Sequence, residues 1–235
     1  MAKDFIRYED ALKIANPVSF NLMLKPVGAA CNLDCVYCYY KDKDYGHGIM
    51  DDETLELSVK DYLETAGTDE VTFNWHGGEP LLAGREFYRK ALLLQKKYSD
   101  GRKINNTIQT NGILIDREWA EFLAENDFLT GLSLDGPQDI HDRYRRSRSG
   151  SNSFERVIRG LEWLKRAGVR FNTMTVISKA SEGRGKEVYQ FLKYAGSRYM
   201  QFMPAVEFLG KGKQSIVDPS GSEGVLAPWS VSAEG

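Results

Sequence analysis

Short apolar runs alternate with amphipathic segments along most of the chain, which is the pattern of a β-sheet covered by helices. The segments that predict strands are 18–24, 70–75, 104–109, 128–134, 170–177 and 199–204. The segments that predict helices are 51–65, 84–98, 116–125, 153–167 and 185–194. In the second of these helices, Phe87, Ala91 and Leu94 fall on one face at helical spacing.

Strands joined through helices by short linkers predict a parallel sheet, because parallel neighbours need a long crossover connection. The fold class is therefore α/β, with either an open doubly wound sheet or a sheet curled into a partial barrel. In both arrangements the functional residues lie at the carboxyl ends of the strands. Turns rich in Gly or Asn follow three of the strands at that edge, namely Gly77-Gly78, Thr110-Asn111-Gly112 and Asp135-Gly136-Pro137.

The pattern divides the chain into three parts. Residues 1–17 precede the first strand as an N-terminal extension, and residues 18–207 carry the repeating units. Residues 208–235 turn to Gly, Ser, Pro and Lys without periodicity, which predicts an irregular tail. No helical pattern follows the sixth strand, so one flank of the sheet is expected to be exposed.

Composition narrows the class of protein. The chain has 235 residues, 42% of them hydrophobic and 27% charged, as in an ordinary globular protein. A net charge of -2 gives no electrostatic reason to expect nucleic acid or an anionic membrane as a partner. No apolar stretch approaches the roughly 18 residues of a membrane span, and the charged N-terminus lacks a signal-peptide core. These features predict a cytoplasmic protein.

Only three cysteines occur, and all lie within eight residues: Cys31, Cys35 and Cys38. An odd, tightly packed set is a poor disulfide framework, and clustered thiols in a reducing compartment indicate a metal. Three thiolates on one loop can bind three irons of a 4Fe–4S cubane, which leaves the fourth iron without a protein ligand. S-adenosylmethionine (SAM) can chelate that iron, and an electron passed to its sulfonium then breaks a carbon–sulfur bond.

Two other interpretations of the cysteine loop stay open. A structural zinc site of the Cys₃His type would take His47 as its fourth ligand, although such sites usually use two paired knuckles. A dithiol redox pair would use Cys35 and Cys38, although the next predicted helix begins too late to place Cys35 at its N-terminus.

The cysteine loop, with Tyr37 before its last cysteine, resembles the signature of the radical SAM superfamily. Within that superfamily the chain resembles the anaerobic sulfatase-maturating enzymes from about Val18 to Phe208. The other motifs that carry this resemblance are Leu24-Lys25-Pro26, Trp75-His76-Gly77-Gly78-Glu79-Pro80, Gln109-Thr110-Asn111-Gly112, Gly131-Leu132-Ser133-Leu134-Asp135-Gly136-Pro137 and Gln201-Phe202.

The resemblance implies a partial (β/α)₆ barrel with a 4Fe–4S cluster and SAM as cofactors. The implied reaction oxidises a Cys or Ser of a sulfatase polypeptide to formylglycine, with electrons from a reductant such as flavodoxin or ferredoxin. The implied cluster ligands are Cys31, Cys35 and Cys38. The residues implied to contact SAM are Tyr37, Gly78, Ser133, Arg145 and Val206.

Each implied SAM contact also has a plainer interpretation. Ser133 can be a core hydroxyl, and Arg145 lies in a basic run that favours solvent. Gly78 can be a turn residue, and Val206 can pack in the core. Under the resemblance, Tyr37 and Gly78 touch SAM through the backbone, where the missing side chain of Gly78 allows close approach.

Four further aromatic or titratable residues, one Tyr and three His, are candidates for the site or for structural roles. His76 stands where relatives often carry a polar residue near the cofactor, but a lone His is more often structural. Tyr40 either lines the substrate pocket or packs in the core. His47 and His141 are expected to be structural.

The resemblance ends before the region in which family members carry two auxiliary clusters and a proton-accepting aspartate. This chain has no cysteine after Cys38, so the auxiliary clusters have no counterpart and the catalytic residue is expected beyond the chain end. Three functions therefore stay open: a sulfatase maturase core in truncated form, another peptide-modifying radical SAM enzyme, and a non-catalytic metal-binding module.

Overall fold

The computed structural model describes residues 20–40, 48–210, 216–217 and 224–232. The N-terminal extension assigned to residues 1–17, the first two residues of the first predicted strand and His47 lie outside the described residues. None of the helices in the described ranges is long and apolar enough to cross a membrane.

Six strands form one parallel sheet in the order β1 to β6. These strands are β1 Leu22–Leu24, β2 Glu70–Trp75, β3 Lys103–Thr110, β4 Leu129–Ser133, β5 Phe171–Ile177 and β6 Met200–Pro204. The helices are α1 Asp52–Thr65, α2 Arg85–Tyr98, α3 Arg117–Glu125, α4 Gln138–Tyr144, α5 Phe154–Arg166 and α6 Gly185–Tyr194, with a short 3₁₀ helix at Pro80–Ala83. In a doubly wound sheet the strand order reverses at a switch point, whereas here it never does, which confirms the partial barrel.

The two faces of the sheet differ in polarity. The face toward the helices buries large apolar side chains, including Phe73, Trp75, Ile108, Leu132 and Leu134. The opposite, inner face carries polar side chains that pair across strands: Thr107 Oγ1 donates to Asn74 Oδ1 at 2.7 Å, and Gln109 Nε2 donates to Ser133 Oγ at 3.0 Å. The inner face is therefore suited to a polar ligand.

Helix starts follow from side-chain capping. The Asp51 carboxylate accepts the amide of Thr54 at 2.7 Å at the start of α1, and Asp116 accepts the amide of Trp119 at 2.8 Å at the start of α3. Each bond satisfies an amide that has no partner inside the helix, which stabilises the helix by about 1 kcal/mol.

Helix α4, Gln138–Tyr144, was not predicted from the sequence. It has only seven residues and follows a Gly-Pro pair, so it shows too little periodicity to be recognised. It nevertheless shapes the edge of the sheet, because it carries the chain from β4 to the segment beside the cysteine loop.

The prediction of an irregular tail after residue 207 is wrong for the residues that the structure describes. A second, antiparallel sheet joins β7 Phe208–Gly210 with β8 Ile216–Val217 and β9 Gly224–Leu226. Strands of two or three residues are too short to show alternation. After β9 the chain bonds back to the main sheet, because the amide of Val231 donates to the carbonyl of Ala205 at 2.9 Å.

The flank of the sheet at its sixth strand is exposed, as expected from the missing helical pattern after that strand. On β6, Phe202 is 44% and Met203 is 51% exposed.

A glycine in α5 tests how tightly this helix packs on the sheet. A Cβ atom at Gly160 would lie 2.3 Å from the carbonyl oxygen of Gly112. We expect Gly160→Ala to lower the free energy of unfolding by about 1–3 kcal/mol through overpacking, although Ala favours a helix by about 1 kcal/mol. Urea denaturation measures the change.

Gly185→Ala is the matched control, because no atom lies within 4 Å of a Cβ at that position in α6. This variant should be unchanged or slightly more stable. A Gly160→Ala protein as stable as the Gly185→Ala protein would contradict the close packing of α5.

Candidate active site

The cysteine loop lies at the carboxyl edge of the sheet, between β1 and α1. Its backbone pairs with the end of α4 and the residues after it. The amide of Asp34 donates to the carbonyl of Arg146 at 2.7 Å, and the amide of Val36 donates to the carbonyl of Tyr144 at 2.9 Å. Leu33 and Ser147 form an antiparallel bridge beside them. The loop is therefore held in a fixed path by main-chain hydrogen bonds, which is the first requirement for a preorganised metal site.

Three buried side chains anchor the middle of the loop. The Tyr37 hydroxyl donates to Asp135, and Arg145 Nη1 donates to the Tyr37 oxygen at 2.9 Å. Arg145 Nη1 also lies 3.7 Å from Asp135 Oδ1, which accepts the amide of Val176 at 3.0 Å. Burial raises the pKa of Asp135, and the guanidinium of Arg145 opposes that rise. The interpretation of Arg145 as a solvated member of a basic run is wrong, since its side chain is buried against the loop.

A second buried carboxylate, Glu79, joins three segments of the chain. It accepts hydrogen bonds from the amide of Leu81 at 3.1 Å, the hydroxyl of Thr110 at 2.7 Å and the amide of Asn111 at 2.7 Å. Its own amide donates to the carbonyl of Ala30 at 2.8 Å, just before the first cysteine. Burial raises the pKa of Glu79 to about 7, and the three donors act in the opposite direction.

Sequence reasoning did not single out Glu79. Its only signal was the charge itself, a carboxylate between Gly-Gly and Pro in a turn after a buried strand.

Asn111 connects the Glu79 site to the first cysteine. Its side-chain amide donates to Cys31 Sγ at 3.7 Å and to Asn32 Oδ1 at 2.6 Å. The amide of Leu33 also donates to Cys31 Sγ, at 3.4 Å. Burial raises the pKa of Cys31 to about 11, with a smaller contribution from the charge of Glu79, while the bond from Leu33 lowers it.

Gly78 is required by the close approach of two backbones. Its φ of +53° lies in the left-handed region, and a Cβ atom would come within 2.1 Å of the carbonyl oxygen of Ala30. This position therefore needs glycine for packing against the cysteine loop, whatever else its backbone contacts.

A cavity of about 230 Å³ lies against the inner face of the sheet. Its lining includes His76, Gln109, Gly131, Asn172 and Gln201. Ser133 belongs to this face through its bond to Gln109, whereas Val206 follows β6 and is 55% exposed, so it does not pack in the core. Burial lowers the pKa of His76, whose Nδ1 accepts the amide of Gly77 at 2.6 Å.

The remaining candidates have structural surroundings. His141 is buried, with its Nδ1 3.4 Å from the amide of Asp135 and its Nε2 3.0 Å from Ser153 Oγ, which confirms the structural expectation. Tyr40 is also buried, and Lys25 Nζ lies 4.2 Å from the centre of its ring.

The residues present fit a 4Fe–4S cluster bound with SAM. Among the described residues, no three His, Cys, Asp or Glu side chains lie close enough to hold a single metal ion. Cys31, Cys35 and Cys38 lie on one loop, and each can bind a separate iron of a cubane. Two buried donors at the loop, Asn32 Nδ2 and Arg145 Nε, have no hydrogen-bond partner. Such donors suit an anionic group, because an unpaired buried donor is costly.

The fold and the site together define a class of protein. The model of the radical SAM superfamily matches residues 26–192, and the chain belongs to this superfamily.

Within the superfamily the chain is similar to sulfatase maturases. It is 44% identical over 223 residues to the serine-type anaerobic sulfatase-maturating enzyme of Bacteroides thetaiotaomicron, covering 91% of this chain and 53% of that protein. It is 40% identical over 206 residues to the cysteine-type enzyme of Clostridium perfringens (strain ATCC 13124), covering 83% of this chain and 55% of that protein. The solved structure of native anSMEcpe with bound AdoMet and Cp18Cys peptide has a TM-score of 0.76 and 41% identity, covering 80% of this chain and 52% of that one. The chain therefore spans about half the length of these relatives.

The buried carboxyl of Glu79 predicts a pH dependence of stability. Folding raises its pKa from 4.5 to about 7, so the folded state binds the proton more tightly than the unfolded state and loses stability as the pH rises between those values. At 1.36 kcal/mol per pKa unit the loss approaches about 3 kcal/mol. Urea denaturation of the iron-free protein measures the difference between the free energies of unfolding of the wild type and of Glu79→Gln. This difference should fall by roughly that amount between pH 4.5 and about 7 and stay level above it.

Glu56→Gln is a suitable control, because the half-buried Glu56 has its pKa lowered by a hydrogen bond from Lys97. The small stabilisation by the Glu56 carboxylate should be lost as the pH falls, whereas the stabilisation by Glu79 is lost as the pH rises. A difference between wild type and Glu79→Gln that stays constant across the window would contradict the buried, proton-binding carboxyl.

Proposed function

We propose that this chain binds a 4Fe–4S cluster through Cys31, Cys35 and Cys38 and reductively cleaves SAM. The observation that carries the proposal is the placement of these three cysteines on one loop, which buried charges hold against the strand ends. The superfamily to which the chain belongs is named for this chemistry. When bound, the cluster supplies the electron that breaks a carbon–sulfur bond of SAM.

Different residues around the loop would contact different parts of SAM. In this proposal the backbones of Tyr37 and Gly78 contact SAM, and Ser133 offers a hydroxyl on the inner face. Arg145 has an unpartnered Nε for a carboxylate, in addition to its contact with Tyr37. Val206 supplies an exposed apolar surface beyond β6 for an adenine ring.

The position of Arg145 changes how its role can be tested. Replacing Arg145 by Ala would leave Asp135 buried without its cation, which typically destabilises a protein by 3–5 kcal/mol. Loss of SAM binding in that variant would therefore not separate a direct contact from a collapsed loop. Ser133→Ala is the cleaner variant, because it removes one hydroxyl and leaves the buried charges paired.

We propose further that the reaction is the oxidation of a Cys or Ser of a sulfatase to formylglycine. Two relatives at 44% and 40% identity carry that name, and a similar solved structure holds a Cys peptide together with AdoMet. The cavity on the inner face of the sheet, which Gln109 and Asn172 line together with apolar side chains such as Met174, is a suitable place for such a peptide. The partners would be the sulfatase polypeptide and a cytoplasmic reductant such as flavodoxin or ferredoxin, with no role for nucleic acid or membrane.

Anaerobic reconstitution tests the proposal. We expect about four irons per chain, and 5′-deoxyadenosine when dithionite and SAM are added, because three cysteines can hold one cubane. Replacing Cys31, Cys35 and Cys38 together by Ala should abolish both the iron and the product. Ser133→Ala should keep the iron and weaken SAM binding by about 1 kcal/mol, or roughly fivefold in Kd.

A stoichiometric zinc that survives chelation, or full iron binding without any cleavage of SAM, would contradict the proposed chemistry. Mass spectrometry of a sulfatase-derived peptide in the same incubation tests the maturase assignment. Oxidation of its Cys or Ser to formylglycine supports that assignment, whereas a different modification of the peptide would overturn it.

A further inference from the structure

We propose that Asn111 is a positioning residue that raises the reduction potential of the cluster, by donating a hydrogen bond to the sulfur of Cys31. This inference rests on the cluster assignment of the preceding section. It gives a role to the Gln109-Thr110-Asn111-Gly112 motif, which the sequence singled out and the proposed function leaves unused.

The orientation of the Asn111 side chain is fixed by its neighbours. Its Oδ1 accepts the amide of Ile113 at 3.1 Å, which leaves its Nδ2 facing Cys31 Sγ at 3.7 Å and Asn32 Oδ1 at 2.6 Å. The reverse orientation would put its oxygen against the oxygen of Asn32 and its amide against the amide of Ile113. Only one orientation therefore satisfies the surrounding donors and acceptors, and it aims an N–H at the sulfur.

The backbone of Asn111 is held as firmly as its side chain. Its amide donates to Glu79 Oε2 at 2.7 Å, and Glu79 also binds the amide of Leu81 and, through its own amide, the carbonyl of Ala30. Asn111 is only 7% exposed. A donor fixed in this way cannot turn toward solvent, so its dipole acts on the sulfur in both oxidation states.

The sign of the effect follows from charge. Reduction adds an electron to the cluster and makes its thiolate ligands more negative, so a hydrogen bond to one of them is stronger in the reduced state. The Asn111 side chain is buried, and water therefore screens its dipole only weakly. Removing the donor should therefore lower the reduction potential and leave less of the cluster reduced at a given ambient potential.

Two substitutions separate this role from support of the loop. Asn111→Asp keeps the acceptor for the amide of Ile113 and the size of the side chain, and at alkaline pH it replaces the donor with a carboxylate. Asn111→Leu removes donor and acceptor without adding charge. Thr107→Val on β3, the strand that Asn111 follows, is the matched control, because it removes a hydrogen bond to Asn74 and none to the cysteine loop.

The measurement is a potentiometric titration of the reconstituted chain, without SAM or peptide, followed by the electron paramagnetic resonance signal of the reduced cluster and normalised to iron. At the wild-type midpoint, the ratio of reduced to oxidised cluster should fall about fivefold in Asn111→Leu. That change corresponds to a midpoint about 40 mV more negative, at 59 mV per tenfold for one electron. At alkaline pH the ratio of reduced to oxidised cluster should fall further in Asn111→Asp, and in Thr107→Val it should match the wild type.

Wild-type potentials in both Asn111 variants, with iron contents intact, would overturn the inference. Loss of the cluster from both variants would also overturn it, because Asn111 would then support the loop and not tune the cluster. If only Asn111→Leu loses iron, the potential of Asn111→Asp decides: a more negative value supports the inference, and a wild-type value overturns it. A wild-type chain that takes up no cluster would instead contradict the proposed function, and this inference with it.

Discussion

Glu79 carries a fully buried carboxylate at the point where the turn after β2, the turn after β3 and the cysteine loop meet. Burying such a group is unfavourable unless hydrogen bonds replace its hydration, and here two backbone amides and one hydroxyl do so. Hydrogen bonds to this carboxylate and to the amide of Glu79 therefore fix the positions of all three segments. The short distance from Gly78 to Ala30, and the direction in which Asn111 faces Cys31, both depend on it.

The opposite side of the cysteine loop depends on a second buried set, Tyr37, Asp135 and Arg145. The two sets lie on different strand ends, β2 and β3 for the first and β4 for the second. The loop is therefore fixed to three strands of one rigid sheet, although it contributes no strand itself. A metal site on a loop gains accuracy when rigid elements support it in this way. The parallel sheet supplies that support because all its carboxyl ends lie at one edge.

Much of this architecture could be predicted from the sequence, because strands and amphipathic helices leave periodic patterns and the three cysteines have a distinctive spacing. Helix α4 and strands β7 to β9 are too short to leave such a pattern. The burial of Arg145 could not be predicted for another reason: Arg143 and Arg146 of the same basic run are exposed, and only the contact of this segment with Tyr37 and Asp135 buries Arg145. Glu79 and Asn111 likewise act through contacts between distant segments, which local composition does not encode.

The central claim is that the cysteine loop is already ordered by the chain itself, before any cluster is bound. Hydrogen exchange in the iron-free protein tests this most directly, through the amides of Asp34 and Val36, which donate to the carbonyls of Arg146 and Tyr144. We expect both amides to exchange slowly, with protection similar to that of the β3 amides that pair within the sheet. Exchange at the rate of an unstructured peptide for Asp34 and Val36, with the β3 amides still protected, would contradict it.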